Sequence, residues 1–320
     1  MHVRRAAVVG AGTMGAGIAE LLAFNEIEVT LVDTSPALVD RGLGHVAALV
    51  RELVAFHAGK APREIERLRG LGVELTVDQA AAVAARLSPT VSQERGDAIV
   101  ARVSGTTELD RIADAELVIE AIFERYEAKR ALLERIDGLV ADGTVVGSNT
   151  SSLSITALAR GLAHRREILV THFFNPPGTL PLVEVAGGLE TREDVVTDVV
   201  DTLGSWRNHR SPLVPVRMKE SPGYLVNRIL IPVLNEACFA LDEGIAGARE
   251  IDVAMRAGAG LPMGPFELAD MIGLDIVLEV AETMQRELGD PKYRPAPALR
   301  RRVAGGHLGR KSGRGFYEYD

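Results

Sequence analysis

Short apolar runs alternate with longer amphipathic stretches over the first two thirds of the chain. Uninterrupted apolar runs of about four residues are typical of strands buried on both faces of a parallel sheet. A first run ends at Val9, and later runs occupy residues 29–32, 117–120, 145–147, 168–171 and 182–185. Helical patterns separate these runs, notably at 127–139. The alternation predicts an α/β fold built on a doubly wound, mostly parallel sheet.

The stretch at about 36–101 predicts helices. Apolar side chains recur there every three or four residues, most regularly from Leu38 to Leu53, which is the spacing of one helix face. Pro62 and the Ser88-Pro89 pair interrupt the pattern, since proline disrupts a helix interior. We therefore expect a helical insertion at about 36–101, divided into at least two or three helices.

A second pattern begins near residue 212. Prolines at 212, 215 and 222 interrupt the chain, and helical periodicity without further strand runs follows them. The helical patterns cover 224–243, 248–257 and 267–288. With 320 residues, the chain is long enough for two cores. We therefore predict one domain at 1–212 and an all-helical domain at 213–320.

A glycine-rich turn joins the first strand to the first helix. Gly10 can turn sharply out of the strand, Gly12 leaves the backbone open to a phosphate, and Gly15 allows the helix to pack closely on the strand. Thr13 and Met14 open the helix, where unpaired N–H groups and the helix dipole attract anions. The turn predicts a Rossmann-type site for a dinucleotide pyrophosphate, although similar turns also occur without a ligand.

The end of the second strand indicates which dinucleotide binds. Asp33 stands 18 residues after Gly15. A carboxylate at that position can hydrogen-bond both ribose hydroxyls of the adenosine and repel a 2′-phosphate. Thr34, Ser35 and Pro36 follow, so no arginine stands directly after the acid to accept a 2′-phosphate. The predicted cofactor is therefore NAD.

Composition and charge narrow the class of protein. The chain is 47% hydrophobic and 25% charged, which is ordinary for a globular protein, and its net charge is −8. This acidity argues against general binding to nucleic acid or to a membrane surface. Cys238 is the only cysteine and has no ligand-spaced partner, so we expect no metal site and no disulfide. Because we find no leader pattern and no apolar run of membrane-spanning length, we expect a cytoplasmic protein.

A histidine and a glutamate are the strongest candidates for chemistry. His172 follows the run at 168–171, at the carboxyl end of a strand, where doubly wound sheets bind ligands. Glu184 lies inside the apolar run at 182–185, and a carboxylate buried there needs a partner. If the carboxylate holds one ring nitrogen, the other can act as a general base near neutral pH. The alternative is a structural histidine and a solvated glutamate at a strand edge.

Two further polar segments are candidates for ligand contacts. Residues 148–154, Ser-Asn-Thr-Ser-Ser-Leu-Ser, follow a strand end and carry hydroxyls and an amide. Asn227 is a polar side chain within an apolar helical pattern. The first segment can equally cap a helix, since serine and threonine are favoured there, and Asn227 can bond a neighbouring turn instead.

Together these motifs resemble the 3-hydroxyacyl-CoA dehydrogenase family, in its short-chain 3-hydroxybutyryl-CoA branch. The resemblance runs through most of the chain and keeps the order of the family's motifs. The matching segments are the glycine-rich turn, 119–124, 148–153, 172–176, 182–185, 221–228, 264–268, Asp270, 273–275 and 309–317. The resemblance implies NAD-dependent, reversible oxidation of an (S)-3-hydroxyacyl-CoA to the 3-oxoacyl-CoA, as in fatty acid metabolism.

The resemblance also implies roles for individual residues. His172 becomes the catalytic base and Glu184 the carboxylate that orients it. Ser151 and Asn227 become the hydrogen-bonding partners of the substrate oxygen. The positions that match the family's NAD contacts, in addition to the glycine-rich turn, are Asp33, Glu124, Lys129, Asn175 and Lys311.

Some positions depart from the family pattern and leave alternatives for the identity of the substrate. The segment between Asp33 and Glu120 is longer than usual and has Leu49 and Phe56 where a serine and a lysine are expected, which leaves the CoA contacts open. The segment 175–181 has proline where the acyl-CoA branch often has lysine, as in gulonate and carnitine dehydrogenases. The alternatives are therefore a dehydrogenase of a free hydroxy acid, one acting on an acyl-carrier-protein thioester, and a noncatalytic, crystallin-like NAD-binding protein.

The helical domain also has apolar stretches that bear on the oligomeric state. The apolar stretches 229–234 and 272–280 exceed what a domain of this size needs to bury, unless they pack against the first domain. Members of the family typically pair through this domain. The resemblance therefore implies a homodimer formed after residue 212.

Overall fold

The computed structural model describes residues 1–88 and 90–319, which divide into two units. The first unit comprises residues 1–150 and 155–217, and the second comprises 151–154 and 218–319. The helix break predicted at Ser88-Pro89 falls partly on Pro89, which lies outside the described residues.

Within the described chain, eight strands form one sheet, most of it in the first unit. The strands are β1 (Arg5–Val9), β2 (Glu28–Val32), β3 (Val103–Thr106), β4 (Leu117–Glu120), β5 (Val145–Ser148), β6 (Ile168–Phe173), β7 (Leu182–Gly187) and β8 (Val214–Lys219). Their order across the sheet is β3-β2-β1-β4-β5-β6-β7-β8. All pairs from β3 to β6 are parallel, and β7 runs antiparallel to β6. The predicted doubly wound, mostly parallel sheet is confirmed.

In the described part of the chain, eight α-helices accompany the sheet in the first unit, and the second unit is helical. The helices are α1 (Thr13–Phe24), α2 (Pro36–Ala58), α3 (Lys60–Gly70), α4 (Val77–Arg86), α5 (Gln93–Ala101), α6 (Tyr126–Asp137), α7 (Ile155–Ala159), α8 (Glu193–Ser205), α9 (Val226–Asp242), α10 (Ala248–Ala259), α11 (Pro265–Ile272), α12 (Leu274–Leu288) and α13 (Pro297–Ala304). Among the described helices, none combines the length and the apolar character needed to cross a membrane.

The strand order places a ligand crevice between β1 and β4. The chain runs outward from β1 through β2 to β3, then returns to the other side of β1 and continues through β4, β5 and β6. Loops leave the carboxyl ends of β1 and β4 in opposite directions, and such a switch point is where open α/β sheets bind ligands. Helix α1 leaves β1 at this point and is buried from Gly15 to Phe24.

The predicted helical insertion is confirmed and consists of α2 to α5. Ser35 caps α2 by accepting a hydrogen bond from the Leu38 N–H, and Pro36 opens the helix. Val46 and Val50 bury one face of α2 in the core of the first unit. Helices α3 and α4 have no buried residue, so this pair of helices lies outside that core.

Three elements differ from the sequence prediction. The single helix predicted at 267–288 is wrong, because Gly273 divides it into α11 and α12 with a φ of +106°. The apolar periodicity continues across the break and therefore hides it. Strands β3 and β8 were not predicted, because only Val103 is buried in β3 and Pro215 and Arg217 interrupt the apolar pattern of β8.

The core of the second unit forms around α9, α11 and α12. Asp270 lies buried on α11 and holds the end of the chain, since its two oxygens accept the N–H groups of Phe316 and Tyr317 at 2.9 and 3.0 Å. The Tyr319 hydroxyl donates to the same carboxylate at 3.0 Å. A Cβ on Gly315 would lie 2.0 Å from an Asp270 oxygen. The glycine-rich segment near the end of the chain is therefore held against α11 in the helical unit.

Candidate active site

The turn after β1 requires glycine at two positions. Gly10 has a φ of +110°, and a Cβ there would lie 2.6 Å from the carbonyl oxygen of Ala121. A Cβ on Gly15 would lie 1.7 Å from the carbonyl oxygen of Gly10. A side chain at either position would push the strand, the turn and the helix apart.

Gly12 differs, because its missing side chain leaves open space. Beyond its chain neighbours, no described atom lies within 4 Å of the position its Cβ would take. Gly12 and Thr13 are exposed at the N-terminus of α1, whose first turn carries no acidic side chain. Backbone N–H groups and the helix dipole therefore face open space there, which fits the pyrophosphate of the predicted dinucleotide.

Asp33 is fixed beside this turn at the end of β2. Its Oδ2 accepts the Ala11 N–H at 2.7 Å, and its Oδ1 accepts the Thr34 N–H at 2.6 Å. Two backbone donors thus hold a half-buried carboxylate next to the glycine-rich turn. This is the position from which an acid contacts the adenosine ribose in dinucleotide sites.

A buried lysine and two glutamates lie together at the carboxyl ends of β4 and β5. The Lys129 Nζ donates to Glu120 Oε1 at 2.6 Å and lies 3.3 Å from Glu124 Oε2. The Ser148 hydroxyl donates to Glu120 Oε2, and the Thr150 hydroxyl donates to Glu124 Oε1 at 2.6 Å. The side chains of Lys129 and Glu120 are 1% and 0% exposed, so each compensates the other's charge away from water. Two predicted NAD contacts, Lys129 and Glu124, therefore lie together at the carboxyl edge of the sheet.

The sequence prediction missed Glu120. It ends the apolar run at 117–120, just as Glu184 lies in the run at 182–185. A carboxylate in a buried strand needs a cationic or hydrogen-bonding partner, and the same argument therefore applied to both residues. Lys129 lies nine positions away on α6, so the partner could not be identified before the fold was known.

His172 and Glu184 form a buried pair at the ends of β6 and β7. The His172 Nδ1 lies 2.8 Å from Glu184 Oε2. The two residues stand directly opposite each other in the antiparallel pairing of β6 with β7, so their side chains share one face. His172 is 7% exposed and Glu184 is 0% exposed. Glu184 is therefore not a solvated edge residue.

This geometry sets the chemistry available to the ring. With Nδ1–H donated to the carboxylate, Nε2 is the nitrogen that can accept or return a proton. Phe174 packs against the imidazole with 4.6 Å between ring centroids. Asn149 Oδ1 accepts the Phe173 N–H at 2.8 Å and so ties the end of β6 to the end of β5. A ring held in this way can act as a general acid or base at the carboxyl edge of the sheet.

The other predicted site residues are distributed between the two units. Asn175 is exposed two residues beyond β6, in the first unit. Ser151 belongs to the short segment 151–154, which is part of the second unit, and Asn227 lies in the first turn of α9. Lys311 is also in the second unit, where its Nζ lies 2.6 Å from Asp275 Oδ2.

Contacts within the second unit hold the segment 151–154. The Tyr224 hydroxyl donates to the Leu153 carbonyl oxygen at 3.0 Å, and the Ser154 hydroxyl donates to Glu220 Oε1 at 2.7 Å. Ser151 is therefore anchored to the start of the helical unit. Over residues 1–88 and 90–319, no group of three or more histidine, cysteine or acidic side chains is arranged to hold a metal ion.

Comparisons with known proteins cover both units. Residues 5–220 match the family model described as 3-hydroxyacyl-CoA dehydrogenase, NAD binding domain, and residues 223–319 match 3-hydroxyacyl-CoA dehydrogenase, C-terminal domain. A 3-hydroxybutyryl-CoA dehydrogenase of Clostridioides difficile is 36% identical over 314 residues, which are 98% of this chain and 99% of that protein. A 3-hydroxyadipyl-CoA dehydrogenase of Escherichia coli is 36% identical over 320 residues, which are 100% of this chain and 60% of that protein.

A solved structure agrees with these matches. The crystal structure of (S)-3-hydroxybutyryl-CoA dehydrogenase from Ralstonia eutropha superposes with a TM-score of 0.79 and 38% sequence identity. The match covers 100% of both chains. The similarity therefore extends over the nucleotide-binding and the helical parts alike.

Proposed function

The chain belongs to the 3-hydroxyacyl-CoA dehydrogenase family, and we propose that it interconverts a short-chain (S)-3-hydroxyacyl-CoA and the 3-oxoacyl-CoA. The predicted family and its cofactor, NAD, are thereby confirmed. When bound, NAD supplies the hydride acceptor for C3 of the substrate, while the proton of the 3-hydroxyl group is released separately. The products are the 3-oxoacyl-CoA, NADH and one proton.

The observation that carries this proposal is the pair of His172 and Glu184. It lies at the same edge of the sheet as the turn at Gly12, whose open space fits the pyrophosphate of a dinucleotide. Oxidation of an alcohol by NAD needs a group that removes the hydroxyl proton as hydride leaves. In the first unit, both His172 and the glycine-rich turn lie at the carboxyl edge of the sheet.

We assign the proton transfer to His172. Its Nε2 accepts the proton of the 3-hydroxyl during oxidation and returns it during reduction. Glu184 holds the ring in the required orientation and stabilises the imidazolium that forms, as a carboxylate does in other histidine-based sites. General base catalysis of this kind typically contributes ~10²–10⁴-fold to the rate.

The proposed cofactor contacts follow the family pattern. The N-terminus of α1, at Gly12 and Thr13, binds the pyrophosphate, and Asp33 binds the adenosine ribose. The remaining residues of this set are Met14, Glu124, Lys129, Asn175 and Lys311. The buried charges around Lys129 support this assignment, because they place fixed hydrogen-bonding groups at the carboxyl end of β4, which lies between β1 and β6 in the sheet.

Ser151 and Asn227 complete the proposed catalytic set. The family pattern makes both residues hydrogen-bonding partners of the substrate oxygen, which develops negative charge as its proton leaves. A hydroxyl and a side-chain amide are suitable donors for that oxygen. Replacing either residue by alanine is expected to lower kcat more than it raises KM for NAD, because each acts on the reacting substrate.

A substrate panel tests the choice of thioester over free acid. Purified protein is assayed for NADH consumption with acetoacetyl-CoA, with the matching acyl-carrier-protein thioester and with free 3-oxo acids, each at several concentrations. We expect the highest kcat/KM with the CoA thioester. A higher kcat/KM with a free acid, as for gulonate- or carnitine-dehydrogenase-like enzymes, would contradict the substrate assignment, and binding of NADH without any turnover would favour the noncatalytic alternative.

We also propose that the chain forms a homodimer through its helical unit. Leu225 at the N-cap of α9, and Ile229 and Val233 within the helix, are spaced four residues apart and are 45%, 61% and 37% exposed, so they form an apolar stripe on one helix face. Ile231 and Leu234 from the same apolar stretch are instead buried in the core of the second unit. Light scattering at micromolar concentration should give twice the mass of one 34.3 kDa chain. Ile229→Glu should shift that mass towards the monomer.

The compartment expected from the sequence, the cytoplasm, stays a prediction. Cell fractionation followed by immunodetection of the protein would test it. Detection mainly in a membrane or secreted fraction would contradict it.

A further inference from the structure

Helix α1 carries a glutamate at a fully buried position. Glu20 is 0% exposed and is flanked along the helix by Ile18, Ala19, Leu21 and Leu22, which are also 0% exposed. Burying a carboxylate is unfavourable unless it is paired. Even a paired buried charge is often no more stable than apolar residues of the same volume. Stability of the core therefore does not explain why this position holds glutamate.

The partner of Glu20 is His209, which lies on the loop between α8 and β8. The His209 Nε2 is 2.8 Å from Glu20 Oε1 and 3.1 Å from Oε2. Phe24, one helical turn further along α1, packs edge-on against the imidazole with 5.2 Å between ring centroids. The histidine is thus held on α1 by a charge-assisted hydrogen bond and by an aromatic contact.

His209 also holds a second loop, formed by residues 174–181 between β6 and β7. Its backbone N–H donates to the Gly178 carbonyl oxygen at 3.0 Å. A Cβ on Gly178 would lie 2.6 Å from His209 Cε1, so the imidazole packs directly on the backbone of this loop. The same loop touches α1 at another point, since a Cβ on Gly17 would lie 3.1 Å from Pro177 Cδ.

The two ends of this arrangement are both parts of the proposed active site. Glu20 stands seven residues along α1 from Thr13, which places it about 10 Å from the end of the helix that binds the pyrophosphate. The β6–β7 loop begins directly after the strand that carries His172, and it contains Asn175. Fixing the loop on the helix therefore fixes the distance between the pyrophosphate site and the residues at the reacting end of the cofactor.

We infer that Glu20 and His209 are positioning residues for NAD. Together they form a brace that holds the β6–β7 loop and its Asn175 against the pyrophosphate-binding helix. The inference rests on the proposed function, because it assigns the two ends of the brace to one bound dinucleotide. Misplacement of a binding group by about 1 Å can reduce the rate about 100-fold, so a brace of this kind affects binding and turnover together.

Three variants test the brace. His209→Ala removes the ring contacts with Glu20, Phe24 and Gly178 and keeps the backbone hydrogen bond to Gly178. His209→Gln keeps an amide N–H that can donate to Glu20, and the double variant Glu20→Gln/His209→Gln keeps a neutral hydrogen-bonded pair. The Kd of NADH is measured by fluorescence titration, and kcat and KM are measured with acetoacetyl-CoA. We expect His209→Ala to raise the Kd and KM for NADH about tenfold and to lower kcat about tenfold. His209→Gln and the double variant should each stay within about threefold of the wild type.

Asn25→Ala is the matched control. The Asn25 side chain exchanges two hydrogen bonds with the backbone of Arg207, at 2.8 and 3.0 Å, and so holds the same α8–β8 loop. Among the described residues, its side-chain hydrogen bonds go to Arg207 and Leu21 and not to the β6–β7 loop. This variant should lower Tm and leave the Kd of NADH and kcat within twofold of the wild type. The inference is overturned if His209→Ala lowers Tm while leaving the Kd of NADH and kcat unchanged, or if Asn25→Ala changes them as much as His209→Ala does.

The same experiment separates this inference from the proposed function. A wild-type protein that binds NADH but reduces no acyl thioester contradicts the proposed reaction, while the Kd values of the variants still decide the role of the brace. If His209→Ala does not fold, the Kd of NADH and the kcat of His209→Gln decide the outcome. In this folded variant the glutamine amide keeps the hydrogen bond to Glu20, so NADH binding more than about tenfold weaker, or a kcat more than about tenfold lower, would contradict the inference.

Discussion

Replacing Glu184 by glutamine removes the negative charge from the pair of His172 and Glu184 and keeps the shape of the side chain. The glutamine amide oxygen can still accept the Nδ1–H of His172, whose distance to Glu184 Oε2 is 2.8 Å. The variant therefore isolates the contribution of charge from that of orientation. Because both side chains are buried, solvent screens the interaction only weakly.

The expected loss follows from the electrostatics of the pair. Two unit charges about 4 Å apart interact by about 4 kcal/mol at an effective dielectric constant of about 20. The imidazolium charge is spread over the ring and the neutral hydrogen bond remains, so we take about 2 to 3 kcal/mol as the loss in the transition state. Since each 1.36 kcal/mol changes a rate tenfold, kcat should fall about 100-fold.

The assay is steady-state reduction of acetoacetyl-CoA by NADH, with NADH binding measured in parallel. We expect the Kd of NADH to stay within about twofold, because Glu184 is not among the proposed cofactor contacts. Glu190→Gln is the matched control, since Glu190 pairs with Arg165 at the surface and its side chain is 52% exposed. If Glu184→Gln retains kcat within about threefold of the wild type, His172 does not depend on this carboxylate and the reasoning fails.

Three further predictions concern the cofactor, the thiol and pH. Asp33→Ala should reduce the preference for NAD over NADP at least about tenfold in kcat/KM, and an unchanged ratio would contradict the assigned ribose contact. Burial raises the pKa of the Cys238 thiol to about 12, so Ellman's reagent should label the protein only after denaturant is added, and rapid labelling of native protein would contradict this burial. Burial lowers the pKa of His164, but its hydrogen bonds to Asp137 and Asp142 outweigh that effect and raise the pKa above 6.5. His164 therefore contributes stability that is complete below about pH 6.5 and is lost as pH rises through its folded pKa, so His164→Ala should lower Tm more at about pH 6 than at about pH 9.

The sheet and the cofactor turn could be predicted because local patterns determine them. The apolar runs that predict β4 and β7 coincide with buried strands, since a strand covered on both faces cannot carry many polar side chains. Gly10 and Gly15 were assigned by their spacing, and both positions exclude a Cβ in the structure. These features depend on a few neighbouring residues and are therefore visible in the sequence.

Features that depend on distant residues were predicted less completely. The pairing of His172 with Glu184 could be anticipated because twelve residues suffice for a hairpin that places them opposite each other. The pair of Glu20 and His209 joins residues 189 positions apart, and no local pattern indicates it. The break at Gly273 was missed because the apolar spacing is the same on both sides of it, while only its positive φ shows that one helix ends there.

The most direct test of the account is the rate at which purified protein forms NADH from (S)-3-hydroxybutyryl-CoA and NAD, compared with the His172→Asn variant. We expect turnover with the (S) substrate and a fall in kcat of at least about 100-fold in the variant, with the Kd of NADH unchanged. Near-normal turnover by a His172→Asn protein that binds NADH normally would contradict the central claim that this histidine transfers the hydroxyl proton.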